Sequence, residues 1–428
     1  MKTSVSEILP YACSRYDGAV NAFLPTEVLV SLTQDSAGTG SCVVAEGDTV
    51  KEGQVLASSP SLNGAHIHSP VPGSVTQFVV RSMPNGKKAR AVQIRLQGEF
   101  SLLGKPRHES DWNSFSASAL RRLFGESGIV NSFAKAEPLS VSIDTALKRN
   151  VPPVVVVRLF DDDPSRCTDS FIAEQYRNQV AEGARIVAAA AEASRVVLAY
   201  SESAVSPMPD AEPDGFIEAV PVDTGIYPCG GRHELIQQIR KKSEAESLSV
   251  SDIFIDSGTA LAVYEAAVHG QPVIDTFVQV SGHALAEEGM FKVRIGTPLR
   301  YLAAECGGFV KPYAKIIING LISGVNIADL DTPVTKYVKS VTFLPFSEKV
   351  DQRTSECLRC GNCRSVCQAG IEPDTLYAYY AHGKKTDPAY VRTTSLCSDC
   401  ALCNAVCPAR LPLCQTLSMM KGSADEKK

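Results

Sequence analysis

The sequence predicts a multidomain chain of α/β and β units that ends in a small cysteine-rich helical module, and three observations predict it. Residues 20–100 read as short alternating strands broken by glycine and proline. From residue 154 the pattern becomes α/β. Continuous apolar runs such as Val154-Val-Val-Val-Arg-Leu-Phe, typical of buried parallel strands, alternate with stretches at helical spacing. Eight of the 14 cysteines fall in two short runs between Cys357 and Cys407.

Composition bounds the class. A chain of 428 residues calls for about two to four domains. Its 44% hydrophobic and 21% charged residues are ordinary for a soluble globular protein. A formal net charge of -5 with no basic stripe argues against a nucleic-acid binder. No stretch approaches the roughly 18 apolar residues of a transmembrane helix. The N-terminal MKTSVSEILPYACSRY lacks a signal-peptide apolar core.

In the first region, 1–100, two blocks carry the signal. Val44 to Leu56 uses Gly47-Asp48 and Gly53 as turns between alternating apolar positions, and His68-Ser-Pro-Val-Pro-Gly-Ser-Val follows. Together they resemble the biotinyl/lipoyl barrel-sandwich fold. The stretch that would carry the attachment lysine, Ser58 to His68, has none, so no lipoyl or biotinyl group is expected. His66 and His68 share one strand face and read as a surface pair.

Residues 101–153 read as a linker with one short helix, Ser116 to Glu126; residues 131–153 hold prolines and little periodicity. Residues 154–270 give strands at Val154, Arg195, Phe216 and Asp252. Helices are expected at 172–191, at 232–246 and from Ser257 through His269. The turn Ser257-Gly258-Thr259 lies between strand and helix, where a phosphate can sit on a helix N-terminus, although a plain helix cap explains it equally simply. Neither G-x-G-x-x-G nor a Walker sequence is present. Residues 271–345 read strand, strand, helix, strand, a small β-grasp unit. Residues 346–420 hold the cysteine runs, and the short charged tail 421–428 reads as disordered.

Cys357, Cys360, Cys363 and Cys367 form a C-x2-C-x2-C-x3-C run. Cys397, Cys400, Cys403 and Cys407 repeat it, with Pro408 after the last cysteine. This is the bacterial-ferredoxin spacing for a [4Fe–4S] cluster, present twice. Three closely spaced thiolates wrap one cubane, and the fourth, farther along, reaches the neighbouring one. Cys357, Cys360, Cys363 and Cys407 are therefore assigned to a first cluster. Cys367, Cys397, Cys400 and Cys403 are assigned to a second. Structural zinc sites use separated C-x2-C pairs, and disulfide frameworks belong to small secreted domains, so neither fits these triplets. Reduced thiolates also place the chain in the cytoplasm. Gln368 stands where ferredoxins carry proline, a position that is not a ligand. Cys13, Cys42, Cys167, Cys229, Cys306 and Cys414 read as buried small hydrophobes.

With these motifs in order, the chain resembles RnfC, the peripheral iron–sulfur subunit of the Rnf ion-translocating oxidoreductase. The resemblance is carried by Gly47-Asp48 with Gly53-Gln54, Ser69-Pro-Val-Pro-Gly, Tyr227-Pro-Cys-Gly-Gly and Ser257-Gly-Thr-Ala. Gly282, Ile295-Gly-Thr-Pro, Asn319-Gly-Leu-Ile-Ser-Gly, Asp331-Thr-Pro-Val-Thr-Lys and the two cysteine runs complete it. It implies a barrel-sandwich hybrid, a Rossmann-like flavin domain, a β-grasp (SLBB-type) unit and a helical two-cluster ferredoxin-like module. It implies an electron-transfer subunit of a translocase, on the cytoplasmic face of the inner membrane, passing electrons between NADH and ferredoxin. Its expected partners are integral membrane and flavin-carrying subunits, with ferredoxin or an NADH dehydrogenase as electron partner. Two alternative readings stand beside it: a soluble cobalamin reductase, since the diol-utilisation reductase shares this architecture and also carries two clusters, and a non-catalytic iron–sulfur scaffold or redox sensor.

The chain departs from that family between 125 and 170. The glycine-rich loop that lets backbone approach FMN is replaced by Gly125-Glu-Ser-Gly-Ile-Val-Asn-Ser-Phe-Ala-Lys-Ala-Glu-Pro, which keeps Gly128. This stretch is similar to the quinone-reductase subunit NqrA, which also lacks the glycine loop. Asn131, Ser132, Phe133 and Lys135 stand where bare backbone is needed, and Asp161, Asp162 and Asp163 add negative charge nearby. Weak or absent FMN binding is expected. Gly128, Ser257, Gly258 and Thr259 are the residual cofactor-binding candidates.

Overall fold

The computed structural model describes residues 3–5, 15–36, 38–59, 64–107, 109–149, 151–204, 216–243, 248–348, 354–383 and 387–425. Cys13 and residues 60–63, part of the stretch that lacks an attachment lysine, lie outside them.

The first region forms two facing sheets. One has the order Glu27–Ser31, Lys88–Leu96, Gly73–Ser82, Thr49–Val50; the other has Ser41–Cys42, Val55–Ser58, Ile67–His68. Alternate residues of both point inward, and Val28, Val30, Leu56, Ile67, Val75, Val92 and Ile94 form the core between them. The earliest residues belong elsewhere. Thr3–Ser4 pairs with Ile226–Tyr227, and Val20–Asn21 pairs with Gly289–Arg294.

A parallel sheet follows, in the order Ile217–Val222, Arg195–Ser201, Val154–Arg158, Ile253–Asp256. The continuous valine run is explained by burial on both sides. Val155 and Val157 pack toward the helices Arg177–Ala191 and Ser257–His269; Val154 and Val156 pack toward Arg232–Lys242. The first two helices touch closely. A Cβ on Gly183 would lie 1.9 Å from the carbonyl oxygen of Ala260, so glycine is required there for the packing. A six-stranded mixed sheet comes next, with Asp275–Ser281 and Ser340–Pro345 parallel at its centre and the helix Leu299–Glu305 beside it. The chain ends in short helices. Asn362–Ser365 and Pro373–Ala381 are echoed by Leu402–Ala405 and Leu413–Asp425, with Pro388–Thr394 between them.

Four expectations are corrected. The linker holds a second helix, Leu139–Leu147, and a hairpin of Val130–Asn131 with Glu137–Pro138. That helix is only nine residues long and shows its apolar face through Leu139, Ile143 and Ala146, too short a run to reveal a period. The helix expected over 172–191 is two helices, Thr168–Gln175 and Arg177–Ala191. They break at Tyr176, whose ring packs on Phe277 with centroids 5.3 Å apart. The tail is helical through Asp425, because Leu417 and Met420 bury against the module; residues 426–428 are outside the described set. His68 is buried rather than on the surface.

Candidate iron–sulfur site and the cavity beside it

The four cysteines of each predicted set line one small cavity. Cys357, Cys360, Cys363 and Cys407 line the first, with Leu411 and Leu413 as apolar wall. Cys367, Cys397, Cys400 and Cys403 line the second, with Ile371, Leu402 and Leu417. Each set takes three thiols from one run and one from the other. The crossing arises because each run ends in a short helix that carries its fourth cysteine toward the other half. Arg359, Asp399, Ala401 and Arg410 adopt left-handed backbone conformations. Such positions are costly for residues with a Cβ and cluster at functional sites; here they curl the chain so that successive cysteines face one centre.

The donor sets suit a cubane. The main-chain N–H groups of Asp399 and Leu411 donate to the sulfurs of Cys397 (3.4 Å) and Cys407 (3.5 Å), the kind of hydrogen bond that supports thiolate ligands. Among the described residues no three His, Cys, Asp or Glu side chains converge closely enough for one metal ion. Thiolates around a cube stand apart, because each binds a different iron. Cys357 and Cys360 are exposed, whereas Cys363 and Cys403 are buried. Of the cysteines outside the runs, Cys229 and Cys306 are buried, and burial pushes both thiols up to about 12. Cys42 and Cys167 are only half-buried, contrary to expectation. Cys414 is buried, but against the second thiol set, whose cavity it lines.

Beside the second set, a cavity of about 700 Å³ runs between the parallel sheet, the six-stranded sheet and the helical module. Cys397, Asp399 and Lys421 form one wall; Asn131, Phe133, Arg158, Arg232 and Asn319 form the other. The stretch that replaces the glycine loop supplies its floor. Phe133 is 2% exposed, and its ring lies 4.3 Å below the Arg158 guanidinium and 5.6 Å from the Phe254 ring. Asn131 donates through Nδ2 to the carbonyl of Phe254 at 2.9 Å. Gly128 is needed for another reason: with φ at 74°, a Cβ would meet the His66 carbonyl at 2.3 Å and Lys336 Nζ at 2.5 Å.

The aspartates are committed elsewhere. Asp161 accepts from the main-chain N–H groups of Asp169 and Ser170 and pairs with Arg166. Asp163 accepts from Ser165, Ile322 and Ser323. Asp162 pairs with Arg166 and stands 3.6 Å from Arg158. Contrary to expectation, Asp161 and Asp163 are not free charges on the cavity, whereas Asp162 lines it as the partner of Arg166 and Arg158.

At the Ser257-Gly258-Thr259 turn, the helix N-terminus is capped from within. Asp256 Oδ1 accepts from the Thr259 N–H at 2.7 Å, and Ser257 donates to the Arg158 carbonyl. Lys339 Nζ lies 2.6 Å from Asp256 and 2.8 Å from Asp169, with all three side chains buried. Burial alone would raise the Asp256 carboxyl, but Lys339 and the Thr259 side chain hold it well below the usual carboxylate range. This network joins residues far apart in sequence, and no short motif announced it.

A family model described as RnfC barrel sandwich hybrid domain matches residues 12–99. The C subunit of an ion-translocating oxidoreductase complex from Haemophilus influenzae (strain 86-028NP) is 24% identical over 366 residues, which are 83% of this chain and 54% of that protein. The C subunit of the proton-translocating ferredoxin:NAD(+) oxidoreductase complex of Clostridium ljungdahlii is 26% identical, over 82% of this chain and 78% of its own length. The C subunit of the ion-translocating oxidoreductase complex of Rhodobacter capsulatus is 26% identical over 94% of this chain and 79% of its own. The chain spans about half the length of the Haemophilus relatives it matches. No helix among the described residues is long and apolar enough to cross a membrane. Residues 12–99 are thus an RnfC-type barrel-sandwich hybrid, carried in a chain similar over most of its length to the C subunits of ion-translocating oxidoreductases.

Proposed function

We infer that this chain is an electron-transfer subunit of a membrane-bound, Rnf-type ion-translocating oxidoreductase, relaying electrons through two [4Fe–4S] clusters. The carrying observation is the pair of cavities lined by crossed sets of four thiols. A [4Fe–4S] cluster supplies one-electron transfer at low potential. The first set would be held by Cys357, Cys360, Cys363 and Cys407, the second by Cys367, Cys397, Cys400 and Cys403. Exposed Cys357 and Cys360 give the first set an open side toward a partner, and Cys397 brings the second to the edge of the large cavity.

In this reading the regions are a barrel-sandwich domain (1–100), a linker (101–153), a Rossmann-like domain (154–270), a β-grasp domain (271–345) and a ferredoxin-type module (346–420). The Rossmann-like domain holds no FMN of its own, because Phe133 and Asn131 occupy the shelf that flavin needs. Electrons would come from a flavin-carrying subunit, ferredoxin or an NADH dehydrogenase and pass to integral membrane subunits. The chain would sit on the cytoplasmic face of the membrane, held there by protein contacts. Anaerobic purification with iron, sulfide and flavin analysis tests the cofactors. Fractionation of native cells tests the complex: co-sedimentation with membranes is expected, and a chain that stays soluble would favour the cobalamin-reductase reading.

A further inference from the structure

The helical module is built from two halves that repeat at an interval of 40 residues, so that Cys357 matches Cys397, Cys360 matches Cys400, Cys363 matches Cys403 and Cys367 matches Cys407. The backbone repeats with them: Arg359 and Asp399 are both left-handed, as are Gly361 and Ala401, and Gly370 and Arg410. Among the cavity-lining positions where the halves differ, one exchanges a carboxylate for a thiol. Asp374 is the second residue of the helix Pro373–Ala381, and Cys414 the second residue of the helix Leu413–Asp425.

The two side chains are held differently. Asp374 is taken by Arg364, whose Nε and Nη2 donate to its carboxylate at 2.7 and 2.9 Å. In the second half Asn404 replaces Arg364, and its Oδ1 accepts the main-chain N–H of Cys414 at 2.9 Å. This fixes the start of the last helix and leaves the Cys414 side chain free to face the cavity. Cys414 lines the same cavity as Cys397 and Cys403 and is 7% exposed. The second cavity therefore holds five thiols, one more than a cubane uses.

We propose that Cys414 is a positioning thiol of the second set, not a ligand: its S–H donates to a ligand sulfur and raises the reduction potential of the cluster held there. The inference rests on the iron–sulfur reading above. A hydrogen bond to a ligand sulfur stabilises the extra negative charge of the reduced cluster, and such bonds are one determinant of cluster potentials. The same position in the first half carries a carboxylate already engaged by arginine, so the first cluster has no equivalent donor. Raising the potential of the second set favours electrons coming to rest beside the large cavity that Cys397 lines.

The test is a redox titration of the anaerobically purified full chain, followed by EPR, in wild type, Cys414→Ala and Cys414→Ser. In Cys414→Ala the iron count should stay at the wild-type value. One cluster midpoint should move to more negative potential while the other stays in place. Cys414→Ser, which keeps a donor, should return the midpoint toward wild type. Unmoved midpoints in Cys414→Ala at full iron content would overturn the proposal. So would loss of half the iron in that variant, which would make Cys414 a ligand. Absence of acid-labile sulfide from the wild type would overturn the iron–sulfur reading itself, an outcome distinct from an unmoved midpoint.

Discussion

The Arg158 guanidinium lies over the ring of Phe133, 4.3 Å from Cζ to centroid, and the pair lines the floor of the large cavity beside the second thiol set. Arg158 is 1% exposed; it donates to the Gly230 carbonyl at 2.9 Å and stands 3.7 Å from Asp169. A buried arginine needs such company, since an unpaired buried charge is strongly destabilising. Phe133 thus shields the charge cluster beneath the cavity.

The first prediction concerns flavin. The purified chain should release far less than one FMN per polypeptide on acid extraction, and NADH alone should reduce its clusters slowly. Phe133→Gly should not create a flavin site, because Asn131 still fills the shelf. It should instead lower stability by about 3–5 kcal/mol, as loss of a buried aromatic does, measured by chemical denaturation. Stoichiometric FMN in the wild type would show that this loop seats a flavin by another arrangement.

The second prediction concerns the crossed ligand sets. Cys360→Ser should remove or convert the first cluster and spare the second, lowering iron from about eight to about four per chain. Cys367→Ser, although it lies in the first run, should affect the other cluster. Its EPR difference spectrum should match that of Cys400→Ser. If instead Cys367→Ser and Cys360→Ser perturb the same signal, the crossing is wrong.

Elements with strong local signals were legible in the sequence. The helix Ser257–His269 has the bounds read from the chain, because Asp256 caps its start and Gly270, in the left-handed conformation, stops its end. The valine run at 154 declared a strand buried on both faces. Long-range pairings were not legible. Lys339 meets Asp169 across 170 positions, and no pattern links a lysine in one sheet to a carboxylate on a helix of another region. Phe133 reads as an obstruction in sequence, and in the fold it packs under Arg158 and beside Phe254, whereas Asp161 and Asp163 read as free charges because their main-chain partners are invisible in sequence. Cys414 had one available signal, the 40-residue repeat that sets it opposite Asp374. That signal gains meaning only once both helices are seen to line cavities.

The third prediction concerns Lys339. Lys339→Met would leave Asp169 and Asp256 buried without their shared cation. Breaking a buried pair by removing one partner costs about 3–5 kcal/mol, and this lysine serves two carboxylates. Burial already raises the Asp169 carboxyl, and loss of the Lys339 charge should raise it further, so that Asp169 takes up a proton more readily as pH falls. The denaturation midpoint should fall sharply at pH 8 and less at pH 5.5, where protonation relieves the unpaired charge. An equal loss at both values would mean that the network is not electrostatically coupled.

The last prediction concerns acid stability and the second buried lysine. Lys336 Nζ donates to the carbonyls of His66 and Gly128 at 2.7 Å each, joining the barrel sandwich, the linker and the six-stranded sheet. Burial pulls this lysine down to about 7. Beside it His68 is 5% exposed, and its Nδ1 has no hydrogen-bond partner. Burial, then the Lys336 charge, lowers its imidazole from an ordinary 6.5 to about 3. Between those values the unfolded chain binds a proton that the folded chain refuses. Stability therefore rises with pH across the window and is lost as pH falls from 6.5 toward 3. At about 1.4 kcal/mol per pH unit for one proton, the whole window is worth on the order of 5 kcal/mol. His68→Gln does not titrate there. Its unfolding free energy should fall less steeply than wild type between pH 6.5 and 5, whatever its stability at pH 7.5, and parallel curves for the two proteins would rule out His68 as the source of the acid sensitivity.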